Sequence, residues 1–246
     1  MIPLRRPPLT PSLTADLARR TAAIRAAGPS TAAGRAAWRT ARQPKAQLRL
    51  MLRRMAPGLE RCMYCGDNLG TDIDHFEPIA RDPLRTFDWQ NHLLACAHCN
   101  SNQKRDRFPC DPATGEHLLV DPSREDPADH LVLYLESGAY DPLTAKGEAT
   151  IDVFGLNSRA ELVRGRRMMF TVVKSLLGAW HTAGAAGRTR EQHEFLDALR
   201  LLHHADVLRT VLALRRTPPL ADAVLGRSLA AVVQELVTTE PEFDRR

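Results

Sequence analysis

Apolar positions in the N-terminal quarter of the chain repeat with the period of an α-helix. Residues 14–27 are rich in alanine and arginine and contain no helix breaker, which predicts a first helix. A second helix is predicted to begin at Thr31, to bend near Pro44 and to end at Pro57 and Gly58. Its apolar residues fall three or four positions apart and form one core-facing stripe: Leu48, Met51, Leu52 and Met55.

From residue 158 the helical period returns and predicts three helices. Each of the first two begins with a capping box, a hydroxyl residue followed three positions later by Glu or Gln, at 158–161 and 189–192. These helices are predicted to reach about Thr182 and Arg216, and the third to span about 220–239. Stripes of leucine, valine and alanine favour packing as a small helical bundle.

The middle of the chain has shorter apolar runs separated by turn residues. Asp-Pro dipeptides begin at positions 111, 121, 126 and 141, and apolar runs at 118–120 and 131–135 predict short strands. The predicted fold class is therefore α+β and mostly helical. Its four segments are a helical N-terminal arm (1–60), a central core (61–110), an irregular connector with short strands (111–157) and a C-terminal helical bundle (158–246).

The composition is that of a globular protein without a membrane-spanning segment. The 246 residues are 43% hydrophobic and contain no apolar run of the ~18 residues that a transmembrane helix needs. The first residues lack the apolar region of a secretory signal. We therefore expect a cytoplasmic protein that does not contact a membrane.

The basic residues are concentrated at the N-terminus. Residues 1–61 contain 13 Lys and Arg against two acids, a net charge of +11, whereas the remaining residues carry a net charge of −6. A basic arm ahead of an acidic body favours contact with nucleic acid phosphates. Two alternatives are open: a solvated helix face, and an arginine-rich transit peptide.

Four of the five cysteines form two close pairs, Cys62 with Cys65 and Cys96 with Cys99. Two Cys-x-x-Cys turns can supply the four thiolates of a tetrahedral structural zinc site. The alternative for either pair is thioredoxin-like redox chemistry, which needs a βαβ context that the sequence lacks. Cys110 is left over and is expected to be a free thiol.

An Asp-His dipeptide lies in the loop between the cysteine pairs. His75 ends a short alternating segment, 71–76, that predicts a strand. A neutral imidazole can accept a proton from water, and the Asp74 carboxylate offers a hard oxygen ligand for Mg²⁺. The same dipeptide at Asp129 and His130 has no metal-ligand context, so we assign it a structural role.

The full set of spacings resembles the HNH, or ββα-metal, nuclease family. In order along the chain the signature reads C62-M-Y-C65, D74-H75, N91-H-L-L-A-C96-A-H-C99-N100 and K104. The resemblance covers residues 61–108. It implies a zinc-stapled ββα-metal core, in which a two-stranded hairpin and a helix surround one catalytic metal ion while the outer cysteines bind Zn²⁺.

The resemblance also implies a role for each signature residue. His75 is implied to be the general base, and Asp74 and Asn100 to hold a catalytic Mg²⁺ or Mn²⁺. Asn91 is implied to orient His75 or its loop, and Lys104 to contact a phosphate. Asn100 replaces the histidine of many members, and its harder amide oxygen favours Mg²⁺. Two further histidines, His92 and His98, are the candidates that could instead enter the metal site.

Looser motifs over residues 61–165 resemble HNH proteins of bacterial phage-defence loci of the Septu type. They are F87-D-W-Q-N91, R107-F-P, L119-V-D-P122-S and I151-D-V-F-G-L-N157. This resemblance implies a DNA endonuclease in antiviral defence that works beside an SMC-like or ABC-type ATPase or another defence subunit. The competing hypothesis is a non-catalytic zinc-knuckle subunit that binds nucleic acid or recruits a partner.

Overall fold

The computed structural model describes residues 1–243, and its N-terminal helices pack directly against the central segment. They are α1 (Pro11–Ala26), α2 (Thr31–Thr40) and α3 (Arg42–Met55). The single helix predicted from Thr31 is therefore two helices, which separate at the fully buried Ala41. Helices α1 and α2 contact the 3₁₀ turn Pro83–Phe87, so this basic region covers the core rather than projecting from it as an arm.

The central segment is a hairpin followed by a short helix. Strand β1 (Asp72–His75) pairs antiparallel with β2 (His92–Ala95), and His75 lies opposite His92 in the register. A π-helix, His98–Lys104, follows β2 and contains Cys99 of the second cysteine pair and Asn100. The prediction of an α+β fold with a small hairpin beside a four-cysteine cluster is confirmed.

The segment after the hairpin contains more regular structure than the predicted connector. Strands β3 (Leu131–Tyr134) and β4 (Ala139–Pro142) form a second antiparallel pair. Helix α4 (Ala145–Phe154), which was not predicted, follows them and is capped by the hydroxyl of Thr144. Gly155, in the left-handed conformation at φ 58°, ends this helix.

Between residues 158 and 243 the C-terminal region has five α-helices where three were predicted. They are α5 (Ala160–Ala185), α6 (Thr189–Leu201), α7 (Ala205–Ala213), α8 (Pro218–Leu225) and α9 (Arg227–Thr239). The break after α6 falls at residues 202–204, and Gly226 separates the last two helices. Both predicted capping boxes are wrong, since neither α5 nor α6 has a side-chain cap. Helix α5 packs against α6, α7 and α9.

One cluster of buried side chains runs through all four segments. It includes Leu48 of α3, Leu94 of β2, Phe154 of α4 and Trp180 of α5. The hairpin therefore packs against helices on several sides. A segment of its size is too short to form a sufficient hydrophobic core of its own. Within residues 1–243, no helix combines the length and the apolar character that a membrane span requires.

Candidate active site

The four paired cysteines form one buried cluster. The Sγ atoms of Cys62, Cys65, Cys96 and Cys99 all lie within 4.8 Å of one another, and none is in a disulfide. The sulfurs of Cys65 and Cys96 are 3.9 Å apart. Tetrahedral Zn–S bonds of about 2.3 Å place sulfurs about 3.8 Å apart. The cluster therefore fits a zinc ion.

Local turns direct the thiols to this point. Gly66, at φ 68°, follows the first pair and donates its N–H to the carbonyl of Cys62 at 2.9 Å. At the second pair, the Cys99 N–H donates to Cys96 Sγ at 3.4 Å. The guanidinium of Arg159 lies 3.5 Å from Cys99 Sγ, where its positive charge offsets that of the thiolates.

His75 lies at the end of β1 with one ring nitrogen occupied. Its Nε2 is 3.0 Å from the carbonyl oxygen of Thr86. Because a carbonyl only accepts, Nε2 carries the proton and Nδ1 carries the free lone pair. Burial lowers the pKa of His75 to about 4, so the ring is neutral at pH 7.

A tryptophan that the motif does not include packs over this histidine. The Trp38 ring, on α2, meets His75 edge-on with centroids 4.6 Å apart and stacks on His92 at 5.2 Å. His92 is fully buried, and its Nε2 shares the Thr86 carbonyl at 3.0 Å. It therefore packs behind His75 as a support. The one feature that could have drawn attention to Trp38 in the sequence is that it is an isolated aromatic residue in an arginine-rich helix.

Helix α2 reaches this position because of a glycine. A Cβ at Gly34 would lie 2.6 Å from Ile79 Cγ2 and 2.9 Å from Thr86 Oγ1, closer than side chains normally pack. The missing Cβ lets the helix approach the turn that contains Thr86. The N-terminal region is thus part of the site.

Asp74 and Lys104 form a buried ion pair. Lys104 is 0% exposed, and its Nζ donates to Asp74 Oδ1 at 3.0 Å and to the His75 carbonyl at 2.7 Å. The Tyr64 hydroxyl donates to Asp74 Oδ2 at 2.5 Å. The predicted phosphate contact of Lys104 is contradicted by this burial. Its ammonium instead binds the carboxylate of Asp74 and the backbone of His75, the last two residues of β1.

Asn91 binds the loop that follows His75. Its Oδ1 accepts the Glu77 N–H at 2.8 Å, and its Nδ2 donates to the carbonyls of Glu77 at 2.9 Å and Arg85 at 3.2 Å. The side chain therefore joins the two ends of the loop that carries Thr86. It acts on His75 through that loop.

Asn100 faces the same cavity as the catalytic candidates. Its Nδ2 donates to Asp72 Oδ2 at 3.3 Å, which leaves the amide oxygen for another ligand. The cavity has a volume of about 200 Å³ and includes among its lining residues Arg35, Trp38, Asp74, His75, Asn100 and Arg105. His98 is outside it, exposed and 3.3 Å from Gln103.

Comparison with known families agrees with this geometry. The HNH endonuclease family model matches residues 62–106, which extend from Cys62 past Lys104. Residues 62–106 form an HNH domain. The matched range contains the thiol cluster, β1, β2 and the π-helix, so the HNH domain coincides with the hairpin-and-helix unit described above.

Two curated proteins resemble a larger part of the chain. Septu protein PtuB of Bacillus mycoides (strain KBAB4) is 27% identical over 139 residues, which cover 44% of this chain and 46% of that protein. Septu protein PtuB of Bacillus thuringiensis is 25% identical over 132 residues, covering 52% and 48%. The matches thus extend over about half the length of each relative. No solved structure matches the chain significantly.

Proposed function

We propose that this protein is a metal-dependent HNH endonuclease that hydrolyses DNA phosphodiester bonds in bacterial antiphage defence. The state of His75 carries the proposal. Its Nε2 proton is bound by the Thr86 carbonyl, its Nδ1 lone pair is free, and Asp74 and Asn100 line the same cavity. A base beside oxygen ligands in one cavity is the arrangement that phosphodiester hydrolysis requires.

His75 would act as the general base. Its Nδ1 accepts a proton from a water molecule as that oxygen bonds to phosphorus and the bond to the 3′-oxygen breaks. The leaving oxygen then takes a proton from solvent. The Thr86 carbonyl stabilises the imidazolium that forms, because Nε2 still donates to it. A positioned base of this kind contributes roughly 10²–10⁴-fold to the rate.

Asp74 and Asn100 would bind the catalytic ion, Mg²⁺ or Mn²⁺. The donors are a carboxylate and an amide oxygen, which hard divalent ions prefer. Asn100 lines the cavity, and its amide nitrogen is occupied by Asp72, so its oxygen is the atom that would bind the ion. A bound ion there supplies charge stabilisation of the phosphoryl oxygens and the leaving oxygen.

The charge distribution supports DNA as the substrate. Arg35 and Arg105 line the cavity and are exposed, and Arg39 and Arg42 are exposed on the same N-terminal helices. Cationic side chains around a catalytic cavity attract the phosphate backbone without reading its sequence. Arg35, Arg39 and Arg42 belong to positions 1–61, where 13 basic residues outnumber two acidic ones.

The two relatives support the defence role. Both are named as Septu proteins, and each matches over residues beyond the HNH domain alone. We extend to this chain a role in antiphage defence beside an SMC-like or ABC-type ATPase or another defence subunit.

The test is cleavage of supercoiled plasmid in Mg²⁺ by wild type, His75→Ala and the control His98→Ala. The assay is run with the protein alone and with any ATPase that co-purifies from its native operon. We expect EDTA and His75→Ala to abolish cleavage, and His98→Ala, at an exposed position, to cut as wild type does. Equal cutting by His75→Ala, or intact plasmid under every condition, refutes the proposal.

One observation favours the alternative of a non-catalytic nucleic-acid-binding subunit. Both carboxylate oxygens of Asp74 already have protein donors, Lys104 and Tyr64, as they would in a purely structural site. That alternative predicts salt-dependent DNA binding without strand scission. It also predicts that Asn100→Ala, which leaves the Asp74 pair intact, changes neither binding nor plasmid integrity.

A further inference from the structure

A second group of metal-ligating side chains lies where the turn around the first cysteine pair, residues 62–66 (the zinc knuckle), meets the C-terminal helices. Asp67 follows the first cysteine pair by two residues, and His203 and His204 form the joint between α6 and α7. One potential ligand atom from each of the three lies within 4.8 Å of the other two. None of the three belongs to the proposed nuclease site.

His204 is buried there with no hydrogen-bond partner for its ring. The residue is 0% exposed, and neither Nδ1 nor Nε2 has a hydrogen-bond partner among residues 1–243. Its Nε2 is 3.4 Å from Asp67 Oδ1, without hydrogen-bond geometry. Buried polar atoms in native proteins almost always have a partner, so an unpartnered imidazole beside a carboxylate and a second imidazole indicates a missing ligand.

The backbone holds His204 in this position. Its N–H donates to the carbonyl of Gly66 at 2.8 Å, and its φ is 51°, in the left-handed region. Helix α5 leaves space for the ring with a glycine, since a Cβ at Gly165 would lie 2.6 Å from His204 Nε2. The imidazole is therefore held beside the carboxylate by contacts with two other elements.

The remaining ligands are closer to solvent. The Asp67 side chain is 32% exposed, and its backbone carbonyl accepts from Arg61 Nη1 at 2.9 Å. His203 is half-buried, with its ring centroid 5.3 Å from that of His204. A ring in that position can rotate to bring its nitrogen to an ion, and the exposed side leaves a coordination position for water.

We propose that Asp67, His203 and His204 bind a second divalent transition-metal ion of the zinc type. Metal–nitrogen and metal–oxygen bonds of about 2.0–2.2 Å place neighbouring donors about 3.3–3.5 Å apart in a tetrahedral site, and the Asp67–His204 distance already matches. Two imidazoles and one carboxylate select zinc-like ions over Mg²⁺. The ion fastens the zinc knuckle to the α6–α7 joint, a role separate from the nuclease function proposed above.

Zinc stoichiometry of the full-length protein tests the site. Wild type, His203→Ala, Asp67→Asn and the control His193→Ala are equilibrated in a buffered micromolar concentration of free Zn²⁺, gel-filtered and analysed by elemental mass spectrometry. We expect His203→Ala and Asp67→Asn each to lose one zinc per chain relative to wild type. His193 is exposed on α6, so its variant should keep the wild-type content. Equal zinc content in all four proteins overturns the proposal.

X-ray absorption of the zinc-loaded protein gives a readout that does not depend on the Asp67 and His203 variants. The four-cysteine site alone yields a pure sulfur shell, whereas the second site adds scattering from imidazole rings. His75 has a free Nδ1 in the catalytic cavity and could supply an imidazole signal if zinc enters there, so zinc-loaded His75→Ala is the control, and the imidazole scattering of the second site should persist in it. A sulfur shell without imidazole scattering would mean that Asp67 and His204 are only a buried polar contact.

Discussion

Replacing Lys104 with methionine separates a buried structural ammonium from a phosphate contact. Methionine keeps an unbranched apolar side chain of similar length but removes the charge. Asp74, only 3% exposed, would keep one donor, the Tyr64 hydroxyl, and the His75 carbonyl would lose its 2.7 Å bond. Breaking a buried ion pair by removing one partner costs about 3–5 kcal/mol. The remaining Tyr64 bond places the expected loss near the lower end, about 3 kcal/mol.

Urea unfolding followed by circular dichroism measures this loss. With an m-value of about 2–3 kcal/mol/M, a loss of about 3 kcal/mol lowers the midpoint by about 1 M. Lys146→Met is the matched control, because Lys146 pairs with Glu125 near the surface at 2.8 Å and is 26% exposed. Such a pair is worth about 0–1 kcal/mol.

A double variant tests whether the loss of unfolding free energy comes from the Asp74 carboxylate that is left without its cationic partner. Adding Asp74→Asn to Lys104→Met removes the charge that the first substitution leaves unpaired. The double variant should therefore be less destabilised than the sum of the two single variants. If Lys104→Met unfolds within about 0.5 kcal/mol of wild type while DNA affinity falls, Lys104 is a phosphate contact and the buried pair is not formed.

Three further predictions concern zinc, pH and packing. Cys96→Ser should lose the zinc of the four-cysteine site and much of the helical circular dichroism, whereas Cys110→Ser, outside the cluster, should retain both. Unchanged zinc content in Cys96→Ser would exclude the four-thiolate site. Burial lowers the pKa of His75 to about 4, which favours the neutral base, so the single-turnover cleavage rate should not fall through His75 protonation until the pH drops below about 5. An inflection of the rate near pH 6.5 that is caused by His75 would contradict the buried geometry. Gly34→Ala should destabilise the protein by about 1–3 kcal/mol by overpacking, but Gly178→Ala, with open space around its Cβ position in α5, should stabilise it by about 0.5–1 kcal/mol in thermal unfolding.

The residues of the hairpin-and-helix unit could be predicted because their spacing along the chain restricts how that unit can fold. Two Cys-x-x-Cys turns restrict where the chain between them can go, so the thiol cluster followed from the sequence. His75 and Asn91 were identified from the same motif, and they lie at the two ends of the loop that contains Thr86. Their partners are backbone N–H and carbonyl groups, which no sequence pattern identifies.

The features that the sequence missed depend on contacts between distant segments. The family resemblance implied a phosphate contact for Lys104, and its burial follows only from the packing of the π-helix against β1. Trp38 is 37 positions before His75, so no local pattern relates them. Ala41 and His204 interrupt helical patterns without a proline or glycine, because tertiary packing outweighs local helix propensity there.

Chemical rescue tests the central claim, that His75 is the general base, most directly. His75→Gly removes the ring and leaves space in the cavity for free imidazole. Single-turnover DNA cleavage in Mg²⁺ should fall by roughly 10²–10⁴-fold in this variant and recover as imidazole is added. Asn100→Ala, which removes an oxygen ligand instead of a base, should show no recovery. Cleavage by His75→Gly at the wild-type rate without imidazole, or equal rescue of both variants, would contradict the account.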